Sequence, residues 1–171
     1  MFIYILLIVL LLISIYTITV YNTILTTQIQ VKEIWCSLET HLKQRHSLIP
    51  ELITIIQKKD KLSKNTINIR NLAASVSGNT IRKEQYENML SGTLKSLFNV
   101  LDHTEISKNS LYITQKQKIQ ESENKIQEIC SNYNHSVAHF NHIICMFPNY
   151  LIIQHVHIEP ERFFHFEPSD K

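Results

Sequence analysis

The residues best suited to chemistry in this 171-residue chain gather in its last third. His135, His139 and His142 recur at i, i+4 and i+7, a spacing that sets three imidazoles on one face of a helix and suits a metal ion. His155 and His157 add further ligands only if the tail folds back. On a helical wheel the three lie opposite the apolar seam of Ile126, Tyr133, Val137, Phe140 and Ile144. An outward row of imidazoles is the ordinary look of a solvated face, because a closed site needs about four ligands and supporting bonds behind them. The expectation is therefore no metal and no cofactor, with metal binding at this histidine face as the alternative.

Other chemistries find less support. Cys36, Cys130 and Cys145 are too few for a disulfide framework and match no zinc spacing. Cys130 and Cys145 fall on or beside the same apolar face and read as small buried residues; a nucleophile would need a base held against the thiol. Two glycines, Gly78 and Gly92, cannot build a phosphate-cradling loop. No catalytic residues are expected, and the chain reads as a non-enzyme. A polar stripe of Glu123, Asn134 and Asn141 borders the apolar seam instead. Buried polar groups cost stability unless paired, and their usual benefit is a fixed helix register.

The elements that must position these residues are helices. So few turn-formers, two glycines and four prolines, argue against a sheet-based fold. Phe2 to Val20 reads FIYILLIVLLLISIYTITV, with no charge before Lys32. These residues span about 28 Å as a helix, close to a bilayer's hydrocarbon core. They lack the basic start and small-residue cleavage site of a signal peptide, so residues 1–20 are expected to be a retained transmembrane anchor. Lys32, Lys43 and Arg45 follow the span, and the positive-inside rule then favours the cytoplasmic side for the rest. A formal charge of +2 is too small to point to nucleic acid as a partner.

Beyond the anchor, Ile24, Gln28, Val31, Trp35, Leu38 and Leu42 form a seam facing a partner helix, with Trp35 in the core. That helix is expected to run to about Ser47. Pro50 fits the first turn of a second helix, capped by Ser47 and carrying Leu48, Leu52, Ile55 and Leu62. A third carries Tyr86, Leu90, Leu94, Leu97 and Leu101. The fourth and longest carries Ile119 to Ile144 and ends before Pro148. The Lys58–Lys64 run is a solvated face. The fold class is all-α: a transmembrane helix continuing into an antiparallel up-and-down four-helix bundle over residues 21–148. Residues 149–171 form a tail expected at the membrane-proximal end, packed on protein or with aromatics such as Phe163, Phe164 and Phe166 at the lipid interface.

Several of these residues form a recognisable signature. Tyr21-Asn22, Val31, Trp35, Leu42, Arg45-His46 and Leu48-Ile49-Pro50-Glu51-Leu52 resemble the opening of the LemA family. Glu121, Glu123-Asn124, Ile126, Tyr133-Asn134, Asn141, Phe147-Pro148 and Phe163-Phe164 resemble its second half. The resemblance implies a single-pass protein of the bacterial cytoplasmic (inner) membrane with a four-helix bundle, and it brings no catalytic residues. Some relatives are associated with magnetosome membranes, which suggests membrane organisation as a further alternative. The chain departs from the family's pattern at His135 and His139, where polar or acidic residues are usual.

The expected role is a scaffold or interaction protein. It meets the bilayer through residues 2–20 and a protein partner, or further copies of itself, through an outer helical face. The bundle makes one geometric prediction. Contacting positions in antiparallel helices keep a constant sum of residue numbers. Setting Asn22 beside Met146 brings Trp35 level with Tyr133 and Arg45 level with Glu123, an ion pair that a charge swap should restore.

Overall fold

The computed structural model describes residues 2–56, 61–156 and 158–169. Residues 58–60 of the Lys58–Lys64 run, together with His157 and the side chains of Ile152 and His155, lie outside the described residues. The chain folds as α1 (Phe2–Ile56), α2 (Lys61–Ser75), α3 (Ile81–Asp102), a 3-10 turn (Glu105–Lys108), α4 (Ser110–Cys145) and α5 (Asn149–Val156). No strand occurs among the described residues. Two compact units share α1 and α4. One holds residues 1–34 and 134–163, the other residues 35–133 and 164–171.

The second unit has the bundle's core. Ile49, Leu52 and Ile56 of α1 bury with Ile69 and Ala73 of α2, Leu90, Leu94, Leu97, Phe98 and Leu101 of α3, and Tyr112 and Ile119 of α4. The α3 and α4 seams thus bury the positions that their periodicity selects except Tyr86, which is half-buried. Thr80 caps α3 by accepting a bond from Lys83 N at 3.1 Å. Gly78 ends the preceding turn at φ +77°, a conformation a side chain would strain. Tyr112 Oη donates to Asp102 Oδ1 at 3.0 Å and ties the start of α4 to the end of α3.

The expected break at Ser47–Pro50 does not occur. Pro50 sits inside α1, and Leu48, Leu52 and Ile55 belong to that helix rather than to a second one. Ser47 is no cap; its Oγ donates to Gln44 O at 2.7 Å within the helix. A proline in a helix interior removes one donor and orphans the carbonyl four residues back. Here that carbonyl is His46 O, and Arg70 Nε of α2 donates to it at 3.0 Å. Gln115 Nε2 of α4 donates to the neighbouring Leu48 O at 2.9 Å. Neighbouring helices supply what Pro50 lacks, so α1 continues to Ile56.

In the first unit, Phe2–Val20 is fully helical and none of its apolar run is buried. Ile24 and Val31 of α1 are buried, as are Val137, Phe140 and Ile144 of α4. After α4 the Phe147–Pro148 peptide bond is cis and α5 follows. Tyr16 Oη donates to Asn149 Oδ1 at 3.2 Å, and Asn149 Nδ2 donates to Ile143 O at 3.0 Å. The side-chain amide of Asn141 takes both backbone groups of Glu161, at 2.8 and 2.9 Å.

Candidate functional site

The deepest concentration of charge lies in the second unit, around Arg45. Its side chain is fully buried, as are those of Glu87 and Glu123. Arg45 Nη1 donates to Glu123 Oε1 at 3.0 Å and to Ser91 Oγ at 2.8 Å. Arg45 Nη2 donates to Glu87 Oε2 at 2.6 Å, which makes Glu87 its shortest partner. The guanidinium also lies 4.9 Å from the centre of the Phe166 ring, a cation–π contact.

Glu87 gathers three cationic or potentially cationic neighbours. His46 Nε2 is 3.1 Å from its Oε2, and Lys83 Nζ is 2.9 Å from its Oε1. Burial pushes the Glu87 carboxyl up, but the bond from His46 and the charges of Arg45, His46 and Lys83 outweigh it and hold the group at about 2. Lys83 also donates to Ala73 O at 2.9 Å, satisfying a carbonyl in the last turn of α2 where a cation is favoured. Glu123 turns its second oxygen to the tail, accepting from Ser169 N at 2.8 Å and Ser169 Oγ at 2.6 Å. Arg45 and Lys83 set two cations against the carboxylates of Glu87 and Glu123.

The tail beyond Arg162 is an extended strap over this cluster. Asn88 of α3 donates to His165 O and accepts from Glu167 N, both at 3.0 Å, as a neighbouring strand would. Phe164 packs edge-on to Trp35 with ring centres 5.3 Å apart, and the Tyr133 ring centre lies 5.4 Å from the same indole, tilted by 58°. Asn79 Nδ2 donates to Tyr133 Oη at 2.9 Å. Cys130 Sγ donates to Phe164 O at 3.0 Å. Burial pushes the Cys130 thiol up to about 11, against a lowering by a backbone bond from Phe166, so it stays protonated and inert at neutral pH. Phe164, Phe166 and Ser169 are buried on protein. These residues therefore leave the expected membrane-proximal position and lie along Trp35, Arg45 and Glu123.

The remaining sites named from sequence divide clearly. Arg45 meets Glu123, and Trp35 meets Tyr133, in the register that antiparallel counting requires. Tyr21, Asn22, Asn124 and Phe147 are exposed; Asn134, Asn141 and Pro148 are half-buried. His135, His139 and His142 are exposed on α4, and among the described residues no three His, Cys, Asp or Glu side chains converge as metal ligands. Sequence reasoning missed Lys83, Glu87, Ser91 and Ser169. A signal for three of them exists, because the buried stripe of α3, followed back from Leu94, steps onto Ser91, Glu87 and Lys83.

This cluster sits within the region that a family model matches: the LemA family model covers residues 34–171. The chain belongs to the LemA family. The match takes in Trp35, Arg45, Glu87, Glu123 and the strap, whereas Tyr21 and Asn22 precede it. Comparison with curated proteins returns no match. In this LemA protein the charged cluster spans α1, α3, α4 and the strap, and its geometry does one thing well. Arg45 reaches Glu87 and Glu123 together only when α1, α3 and α4 hold one register, and removing it leaves two buried carboxylates without their shared cation. A groove of about 410 Å³ beside it is lined by Asn88, Ser91, Gly92, Lys95, Gln127, Phe166, Glu167 and Pro168. None of the four charged members of the cluster lines that groove.

Proposed function

We propose that this LemA-family protein is a non-enzymatic interaction or scaffold protein, anchored once in the bacterial cytoplasmic membrane by residues 2–20 with its bundle on the cytoplasmic side. The observation that carries the reading is how the cluster spends its charges. Arg45, Glu87 and Glu123 have fully buried side chains, and Lys83 is nearly so. All four are bonded to one another, to backbone or to the strap, an arrangement that fixes helices and offers no proton or nucleophile to a substrate. The apolar run of α1, long enough to cross a membrane and with none of it buried, supports the anchor.

A scaffold must meet the same partner repeatedly. Cross-linking the full chain in its native membranes, with reagents directed at the exposed lysines of α2 and α4, should trap one defined heterologous partner or a discrete homo-oligomer. Products spread evenly over abundant membrane proteins overturn the reading.

A further inference from the structure

The first unit is almost free of formal charge. No Asp, Glu, Lys or Arg occurs from Met1 to Val31, and none from Ile129 to Ile158. A soluble surface of this length normally carries about one charged residue in four. The apolar side chains here are also left uncovered. Met146, Tyr150 and Leu151 are between 42% and 47% exposed, and Phe147 is 76% exposed. They occupy the elbow between α4 and α5, where the Phe147 and Tyr150 rings lie 6.3 Å apart.

The bond from Tyr16 Oη to Asn149 Oδ1 places this elbow against the apolar run of α1. Tyr16 lies four residues, roughly 6 Å along the axis, before the Val20 end of that run. Side chains on a helix lean towards its N-terminus, here towards the middle of the span. Asn149 therefore sits at or inside the boundary at which the anchor leaves lipid. Asn149 spends its amide on Tyr16 and on Ile143 O, so the polar group at this depth is satisfied within the protein.

We propose that the α4–α5 elbow is a second membrane-contacting element, lying in the bilayer interface beside the anchor with Met146, Phe147, Tyr150 and Leu151 against lipid. Tyrosine at the headgroup level and apolar neighbours just beneath it are the composition such a position selects. The proposal rests on the anchor reading of residues 2–20, and its test separates the two.

The full chain is reconstituted in phosphatidylcholine–phosphatidylglycerol vesicles. Cys36→Ser and Cys145→Ser remove the exposed thiols and leave the buried Cys130. An environment-sensitive fluorophore is then attached through Phe147→Cys, Leu151→Cys, Leu11→Cys or Lys125→Cys, one at a time. All four positions are exposed, and retained helicity by circular dichroism checks each variant. Probes at 147 and 151 should emit to the blue and lose intensity to nitroxide-bearing lipids but not to aqueous iodide, as the probe at 11 does. The probe at 125 should respond to iodide alone. Iodide quenching at 147 or 151, with lipid quenching kept at 11, overturns the elbow and leaves the anchor standing. Iodide quenching at 11 overturns both. Shielding of 147 and 151 from both quenchers means that protein, such as a second copy of the chain, covers the elbow, and that too overturns the proposal.

Discussion

At the scale of single residues, Arg45 carries the largest consequences. Its removal strands Glu87 and Glu123, both fully buried, without a shared cation. Arg45→Met should cost about 3–5 kcal/mol, read as a fall in the urea midpoint of the full chain in detergent. The sequence suggests that Arg45→Glu with Glu123→Arg would restore the pair. The structure limits that recovery, because a carboxylate at position 45 would also face Glu87, Arg45's shortest partner at 2.6 Å. The double variant regains the pair between positions 45 and 123 but keeps the repulsion at Glu87, so it should stay well below wild type, and full recovery would show that the Glu87 contact matters little. Cys130 offers a second residue-scale test. With its thiol raised to about 11 and its sulfur buried, it should resist iodoacetamide at pH 8, while the exposed Cys36 reacts. Peptide mass spectrometry before and after denaturation reads the difference; comparable labelling of both in the folded protein would contradict it.

At the scale of elements, the question is how α1 runs through Pro50. The helix keeps its course because Arg70 Nε takes the His46 carbonyl that a prolyl nitrogen cannot reach. Arg70→Met should therefore cost about 2 kcal/mol, since the lost bond has a charged donor and leaves an orphaned acceptor. Pro50→Ala restores an N–H at that position, and in its background the Arg70→Met penalty should shrink. A double-mutant cycle measures this coupling directly, and an unchanged penalty would mean that Arg70 acts elsewhere. The strap follows related logic. Asn88 mimics a neighbouring strand, bonding His165 O and Glu167 N, and so gives an extended segment in a helical protein its backbone partners.

At the scale of the whole molecule, the cluster makes stability depend on pH. The folded Glu87 carboxyl lies at about 2, below its ordinary 4.5, so the unfolded chain takes up the proton first. Its contribution is complete above about pH 4.5 and drains away as pH falls towards 2. The depression corresponds to stabilisation on the order of 3 kcal/mol. Unfolding free energies from pH 6 to 2.5 should fall more steeply for wild type than for Glu87→Gln. Parallel curves would show that another carboxylate governs the acid limb.

Periodicity and composition alone determined a good deal of this protein. The apolar run of Phe2–Val20, the seams of α3 and α4 and the α1–α4 register all follow from local spacing, because a helix's inward face repeats with a period its own residues set. The level pairing of Arg45 with Glu123 followed by counting along antiparallel axes. Tertiary structure decided what depends on distant partners. Pro50 reads as a helix start until Arg70 arrives from α2 to satisfy His46. Glu87 and Lys83 carry no sequence signal of a partner, and only the fold brings Arg45 and Ala73 O beside them. Phe164 and Phe166 of the tail read as a cap at the membrane until Trp35 and Arg45 supply the surface on which they bury, while Phe163 stays exposed. In each case the local preference amounts to a kilocalorie or a few, and contacts between residues far apart in the chain outweigh it.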